Sequence, residues 1–364
     1  MKRKVWAIVL LLSLVTSSGC YDQLNLEDIS LVLMLGMDLD EDENFVVYTQ
    51  SPVFYKEAKE KSETGGVKTV TVGWARPKLD AILTGITLAG KNQTVLIGKR
   101  LVEKRKDWAD LLDLFYRDPK QSATPHVILV DGPVNEVFRF QPKDKPRLAI
   151  HMHKLIETAN QRSVTVSTNL QEFRRQIKDR ALTAAISEVK KDKEEIKVTG
   201  VALLSENGGY ADHLSLEESS LLLMLQRRAK GEVYYVTQTP DDVIAMMIRS
   251  AKVKVKSNYV QGRFRFEISM KCKAVLTSSN KSATFHNLTS KLEKQISDDM
   301  QTKMTALVKK CQRDAVDPFG FGLYARAYQY DAWKPVQDKW GEAFSKADVR
   351  IKPDVKLESI GTLE

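Results

Sequence analysis

The stretch Phe264-Arg265-Phe266-Glu267-Ile268-Ser269-Met270-Lys271-Cys272-Lys273-Ala274 places an apolar residue at every second position. Successive side chains of a strand point to opposite faces, so this pattern predicts a half-buried strand with one core face and one wet face. Just upstream, Lys252, Lys254 and Lys256 alternate with Val253 and Val255, which predicts a second such strand with a basic outer face. Downstream, Leu288, Leu292, Ile296, Met300, Met304 and Val308 step by four, the signature of a long amphipathic helix. The tail Val349–Leu357 is again strand-like. Strand runs mixed with helices, without strict alternation of the two, predict an α+β protein with mixed or antiparallel sheets and packed amphipathic helices.

Working back from there, Lys197–Ser205 reads as a strand and Asn207-Gly208-Gly209 as a turn. Ser215-Leu216-Glu217-Glu218 spells a capping box, which predicts a helix running on to Gly231. Residues 29–51 read as a hairpin about the polar turn Asp40–Asn44, and Thr94–Ile97 and Val127–Val130 as short strands. Leu79, Ile82, Leu83 and Ile86 predict one helix face; Trp108, Leu111, Leu112 and Phe115 predict another. A third helix is expected over Leu170–Val189, with the charge run Lys190–Glu195 as its solvated end. The main boundary is placed there. The expected organisation is a cleaved signal at 1–19, an N-terminal domain at 20–192 and a C-terminal domain at 193–364. A further division of the last near 245 would make three domains in all.

The chain has 364 residues, 56 Lys and Arg, 47 Asp and Glu, and three cysteines. So few cysteines exclude a disulfide-built scaffold. The formal charge of +9 includes Lys2, Arg3 and Lys4, in a front segment without an acid. Without those three, 53 bases face 47 acids, a thin surplus expected to be spread over surface faces and no nucleic-acid footprint. The apolar run Val5–Val15 is too short for a membrane span of about 20 residues. A basic start, a short apolar core and the small residues Ser17-Ser18-Gly19 read as a secretory signal. Cys20 stands where a lipobox places the thiol that takes diacylglycerol, and a thiolate is the nucleophile that chemistry needs.

The search for catalytic chemistry returns little. Gly85–Asn92 nearly spells a phosphate loop, but Asn92 replaces the magnesium-holding hydroxyl, a helix precedes and a strand follows. A C-cap at Gly90 accounts for the glycine. Asp38, Asp40, Asp42 and Asn44 begin like a calcium loop, yet Glu43 and Thr49 stand where Gly and Glu are required, so a solvated turn is expected. His151 and His153 would share one strand face near Glu157, and a surface pair is favoured over a metal site. Accordingly, no catalytic residue, metal or cofactor is assigned. Cys272 and Cys311 fit buried free thiols, with a disulfide as the alternative in an exported protein. Lys104-Arg105-Lys106 and the Lys252–Lys256 stripe are the most basic places, either solvated surface or a contact for anionic headgroups or an acidic partner. Trp333, Trp340 and Phe344 would line one helix face.

Taken together, these residues resemble the C-subunit lipoproteins of bacterial spore germinant receptors. The likeness runs through Cys20-Tyr21-Asp22, Gly36-Met37-Asp38, Val95-Leu96-Ile97-Gly98 and Asp113–Pro119. It is most specific at Asp317-Pro318-Phe319-Gly320-Phe321-Gly322, followed by Trp333, Trp340, Phe344 and Val349-Arg350-Ile351. Ser17, Tyr21 and Cys311 depart from the usual pattern. The resemblance implies a non-catalytic subunit anchored through Cys20 to lipid of the spore inner membrane, on its outer face. It implies partnership with a multi-spanning A subunit and a transporter-like B subunit, with germinant binding assigned to the latter. The expected partner surface is Phe319, Phe321, Trp333, Trp340 and Phe344. The alternative reading is an extracytoplasmic solute-binding lipoprotein of a transporter.

Overall fold

A computed structural model describes Trp6 and residues 25–118, 120–238, 243–279 and 289–359 of the protein. The chain enters through β1 (Ile29–Leu31), β2 (Met34–Leu39), β3 (Phe45–Pro52) and β4 (Ser62–Lys68). There follow α1 (Val72–Asp80), β5 (Ile86–Leu88), β6 (Thr94–Gly98), α2 (Lys99–Lys104), a 3-10 turn at Trp108–Leu112 and α3 (Asp113–Arg117). Next come β7 (His126–Val130), α4 (Val134–Phe138), α5 (Leu148–Gln161), α6 (Leu170–Lys178), β8 (Ala185–Asp192), β9 (Glu195–Leu204) and β10 (Tyr210–Leu214).

Eight of these strands form one sheet in the order β10-β9-β8-β7-β6-β2-β3-β4. Its centre, β2, β6, β7 and β8, is parallel, and its flanks are antiparallel. Strands β6 and β7 are buried at every residue, as a parallel centre covered on both faces requires. One face packs Val95, Ile97 and Leu129 against Trp108, Phe115 and Phe173. The other packs Leu96 and Ile128 against Val134, Phe138, Met152 and Ile156 of α4 and α5.

After β10 come α7 (Leu216–Leu225), β11 (Val233–Gln238), β12 (Val243–Val260), β13 (Arg263–Ser279) and α8 (Thr289–Arg313). The chain ends with α9 (Phe321–Tyr328), α10 (Tyr330–Trp333), α11 (Trp340–Ser345) and β14 (Asp348–Ser359). Strands β11, β12, β13 and β14 make a second sheet in that order, antiparallel except for the parallel pair β13–β14. The alternation that opened the sequence reading is seen directly: Phe264, Phe266, Ile268, Met270, Cys272 and Ala274 face the core. Helix α8 also covers the edge of β14. Val355 N–H donates to Ser297 Oγ and Leu357 N–H to Glu293 Oε1, both at 3.0 Å, so two groups of the exposed strand edge are satisfied. The capping box is formed, with Ser215 N–H donating to Glu218 Oε2 at 2.8 Å and Glu218 N–H to Ser215 Oγ at 3.2 Å.

Several expectations are corrected. The helix over Leu170–Val189 ends at Lys178, and Ala185–Val189 belongs to β8. A strand buried on both faces reads as an apolar run that periodicity cannot separate from a helix. The charge run is therefore a hairpin turn: Asp192 pairs with Glu195 around Lys193, whose φ is +48°. Residues 192 and 193 lie at the turn between β8 and β9 of the larger sheet, and residue 245 lies within β12. Residues 148–161 form a helix instead of a strand, because Leu148, Met152, Ile156 and Asn160 are buried at helical spacing. Of the face expected at Leu79–Ile86, only Leu79 is buried in α1; Ile82 and Ile86 are exposed, and Gly90 lies in a turn after β5. The polar turn at residues 40–44 holds no convergent acid set, since Asp40 binds Asn44 and Lys68 while Asp38 turns into the fold.

Candidate functional site at the Asp317 junction

Helix α8 ends at Arg313, and the chain then buries Asp317 completely. An ionised carboxylate is tolerated in such a place only with several donors. Asp317 has three: Gly320 N–H at 3.0 Å, Gly322 N–H at 2.8 Å and Trp340 Nε1–H at 2.8 Å. Burial pushes its pKa up to about 6 while these donors pull it back, so at neutral pH the ionised carboxylate supplies the acceptors that the three N–H groups require. The Asp317 carbonyl in turn accepts from Thr183 N–H at 3.0 Å, and the Pro318 carbonyl from Gln226 Nε2 at 2.6 Å. One residue thus ties the segment after α8 to α9, to α11 and to the approach of β8 in the larger sheet. The fit is close enough to demand glycine at position 322, where a Cβ would lie 2.3 Å from the Ala181 carbonyl oxygen.

Around the carboxylate the rings stack. Phe266 and Phe321 have centroids 5.1 Å apart, Phe264 meets Trp340 edge-on at 5.1 Å, and Phe319 lies 5.2 Å from Phe321. This corrects the expected partner surface. Phe319, Phe321, Trp333, Trp340 and Phe344 are all buried and belong to the C-terminal core. Nor do the last three share one helix, because α10, a 3-10 turn at Lys334–Lys339 and α11 divide the segment. Outside the cluster, the Arg326 guanidinium holds both oxygens of Asp179 at 2.9 and 3.2 Å, a bidentate clamp between α9 and the loop after α6.

A smaller junction of the same kind lies in the larger sheet. Asp38 at the end of β2 is buried, and Oδ2 accepts from Val134 N–H at 2.9 Å, which fixes the start of α4. Gly98 leaves it room, since a Cβ there would lie 2.0 Å from Asp38 Oδ1. Burial raises the Asp38 pKa. Both junctions are built from the motifs that carry the sequence resemblance.

The histidines are rearranged relative to expectation. His153 meets Glu157 one turn along α5 at 3.3 Å, but its stacking partner is His126 of β7, with centroids 4.9 Å apart, and His151 is not part of the group. A bond between strand and helix that distant in sequence leaves no local signal. One ligand atom from each of His126, His153 and Glu157 lies within 4.8 Å of the others, so the three side chains are close enough to share a cation as well as to pack. Burial, reinforced by His153, holds the His126 pKa down to about 4. Cys272 and Cys311 are buried free thiols, which corrects the disulfide alternative; burial pushes Cys272 up to about 12 and raises Cys311 as well. Cys20 lies outside the described residues.

Comparison with known proteins matches the family "Spore germination protein N-terminal domain" at residues 22–191 and "Spore germination B3/GerAC like, C-terminal" at 199–361. The chain belongs to the germinant receptor C-subunit family. Among curated members, spore germination protein B3 of Bacillus subtilis (strain 168) is 21% identical, covering 98% of this chain and 97% of its own. Spore germination protein A3 of the same organism is 20% identical over 95% of each. Spore germination protein GerQC of Bacillus cereus is 21% identical, covering 99% of this chain and 100% of its own. The crystal structure of the GerBC protein superposes with a TM-score of 0.58 at 18% identity, covering 89% of this chain and 96% of that one, which shows a shared fold.

Two consequences of the geometry can be measured. Asp317→Asn replaces one acceptor oxygen by an NH2 group facing buried donors, and should cost roughly 2–4 kcal/mol in urea unfolding at neutral pH. An unchanged midpoint would show that the junction bears no load. For His126, the folded pKa lies below the unfolded value of about 6.5, so the unfolded chain binds the extra proton. Its share of stability is full above pH about 6.5 and is lost as pH falls toward about 4, up to about 3 kcal/mol. His126→Phe, which keeps a ring in the stack, should flatten the stability profile in that window. An identical slope in the variant would contradict the burial account.

Proposed function

We propose that the chain is a non-catalytic, lipid-anchored subunit of a nutrient germinant receptor, required for assembly or coupling of the receptor. The observation that carries this reading is the extent of the match. Both family profiles fit in order across residues 22–361, and curated germination proteins align over nearly their whole length.

The anchor would be Cys20. Lys2-Arg3-Lys4, the apolar run Val5–Val15 and Ser17-Ser18-Gly19 before it supply the basic, apolar and small elements that export and cleavage require. At about 0.8 kcal/mol per buried CH₂, two acyl chains on this cysteine hold a protein at a bilayer where one is marginal. Among the described residues no helix is long and apolar enough to cross a membrane. The site of action is then the outer face of the spore inner membrane, beside a multi-spanning A subunit and a B subunit that receives the germinant. In this role the Asp317 junction and its aromatic cluster are the frame that holds contact surfaces in place and not the contacts themselves.

A solute-binding lipoprotein finds less support. A cleft of about 1020 Å³ is open and polar, and it lies between Lys59–Gly66 and Arg139–Leu148 at one side of the larger sheet, away from the junction between the two sheets. Metabolic labelling with a palmitate analogue tests the anchor. Label is expected on the wild-type protein and absent from Cys20→Ala; an unlabelled wild type would contradict the assignment.

A further inference from the structure

The wet face of the second sheet collects more cations than acids: Glu267 stands across from Lys256 and Asp354 across from Lys271, while Lys252, Lys254 and Lys352 have no acid opposite them. Lys252, Lys254 and Lys256 of β12, Lys271 of β13 and Lys352 of β14 all point to the side opposite the core. Their positions are set by register. Lys252 is directly opposite Lys271, and Lys254 and Lys352 flank Ser269 on the next rung. With strands about 4.8 Å apart and alternate residues about 6.8 Å apart, the five ammonium groups fall on a patch roughly 15 Å across. Other charges on this face are matched: Arg265 and Arg350 share Asp348 at 3.0 and 2.9 Å, and Lys273 reaches Glu358 at 2.5 Å. Among the described residues, none of the five lysines has an acid within 4.0 Å. Like charges on one rung repel, so the fold carries an electrostatic cost here that a negative partner would remove.

We propose that this face docks on an anionic phospholipid surface. The placement on a sheet face and the residue types favour a bilayer. The patch lies on a sheet face, and its unpaired cations are lysines, mobile point charges suited to a field of phosphates, where a defined carboxylate or phosphopeptide favours the arginine fork. On the same face, Tyr234 and Val236 of β11 are exposed, paired across the sheet with Met247 and Ala245. Tyrosine with apolar neighbours is a residue set of membrane–water boundaries. The proposal stands on the sheet face and is independent of acylation at Cys20.

The test uses the full chain carrying Cys20→Ser, so that no acyl chain contributes, in co-sedimentation with vesicles of phosphatidylcholine alone or with phosphatidylglycerol added. The native face is compared with the same chain bearing Lys252→Gln, Lys254→Gln, Lys271→Gln and Lys352→Gln. The front segment, with its own cations, is common to both proteins and cancels in the comparison. Circular dichroism checks that the variant is folded. Binding to the phosphatidylglycerol vesicles should fall tenfold or more in the variant, and the native advantage should shrink as salt is raised. Equal binding by a folded variant would overturn the proposal. So would a variant that keeps vesicle binding but fails to co-purify with the membrane-embedded subunits, which would assign the face to a protein.

Discussion

The carboxylate of Asp317 is the constraint on which the rest of the structure depends. It is a charge taken wholly out of water, and such a group is stable only where the fold brings several donors to it at once. Those donors come from the turn that starts α9 and from the indole of α11, while the backbone of the same residue meets Thr183 before β8. Satisfying the side chain therefore fixes the angle at which α8 is left and the seating of two later helices, while the backbone carbonyl of the same residue holds the approach to the larger sheet. The aromatic rings follow from this. With Trp340 held by its N–H, its ring closes over Phe264, and Phe321 fills the space against Phe266.

The same logic explains why the two sheets share a core. Val201, Leu203 and Leu214 of β9 and β10 pack in one cluster with α7, α8 and the inner face of β13. Helix α7 is buried along Ser219–Leu225, as a helix apolar on all sides must be. The Arg326–Asp179 clamp and the Lys310 ammonium, which donates to the His213 carbonyl at 2.6 Å, extend the seam on either side. A subunit built this way presents its faces in a fixed relation, which is what assembly with membrane-embedded partners demands of it.

Much of this was legible in the residues. The alternation of β13, the stepping of α8 and the capping box at Ser215 each report a local period or a local bond, and each is seen as read. Errors came where local pattern and burial disagree. Val127–Val130 and Ala185–Val189 are apolar runs in strands covered on both faces, and only the first was bounded clearly enough to be separated from a helix. His151 and His153 alternate as on a strand face, but the burial of Leu148, Met152 and Ile156 at helical spacing decides for a helix. The candidate surface failed for a different reason. Aromatic residues between glycines look like a display, but those glycines allow close approach to the backbone around Asp317, and the rings turn inward. The lysine face was visible as a stripe on β12; its size depended on the pairing of β13 and β14, which no single strand reveals.

The central claim is that the Asp317 junction, through its buried carboxylate and its backbone carbonyl, joins the two sheets into one cooperative unit, and native-state hydrogen exchange on the full chain tests it most directly. The amides of Thr183, Gly320 and Gly322 should be protected to the same free energy as those of β6 and β7, opening only when the whole molecule unfolds. Rapid exchange at these three amides, with the central strands still protected, would show that the junction opens by itself and would contradict the account.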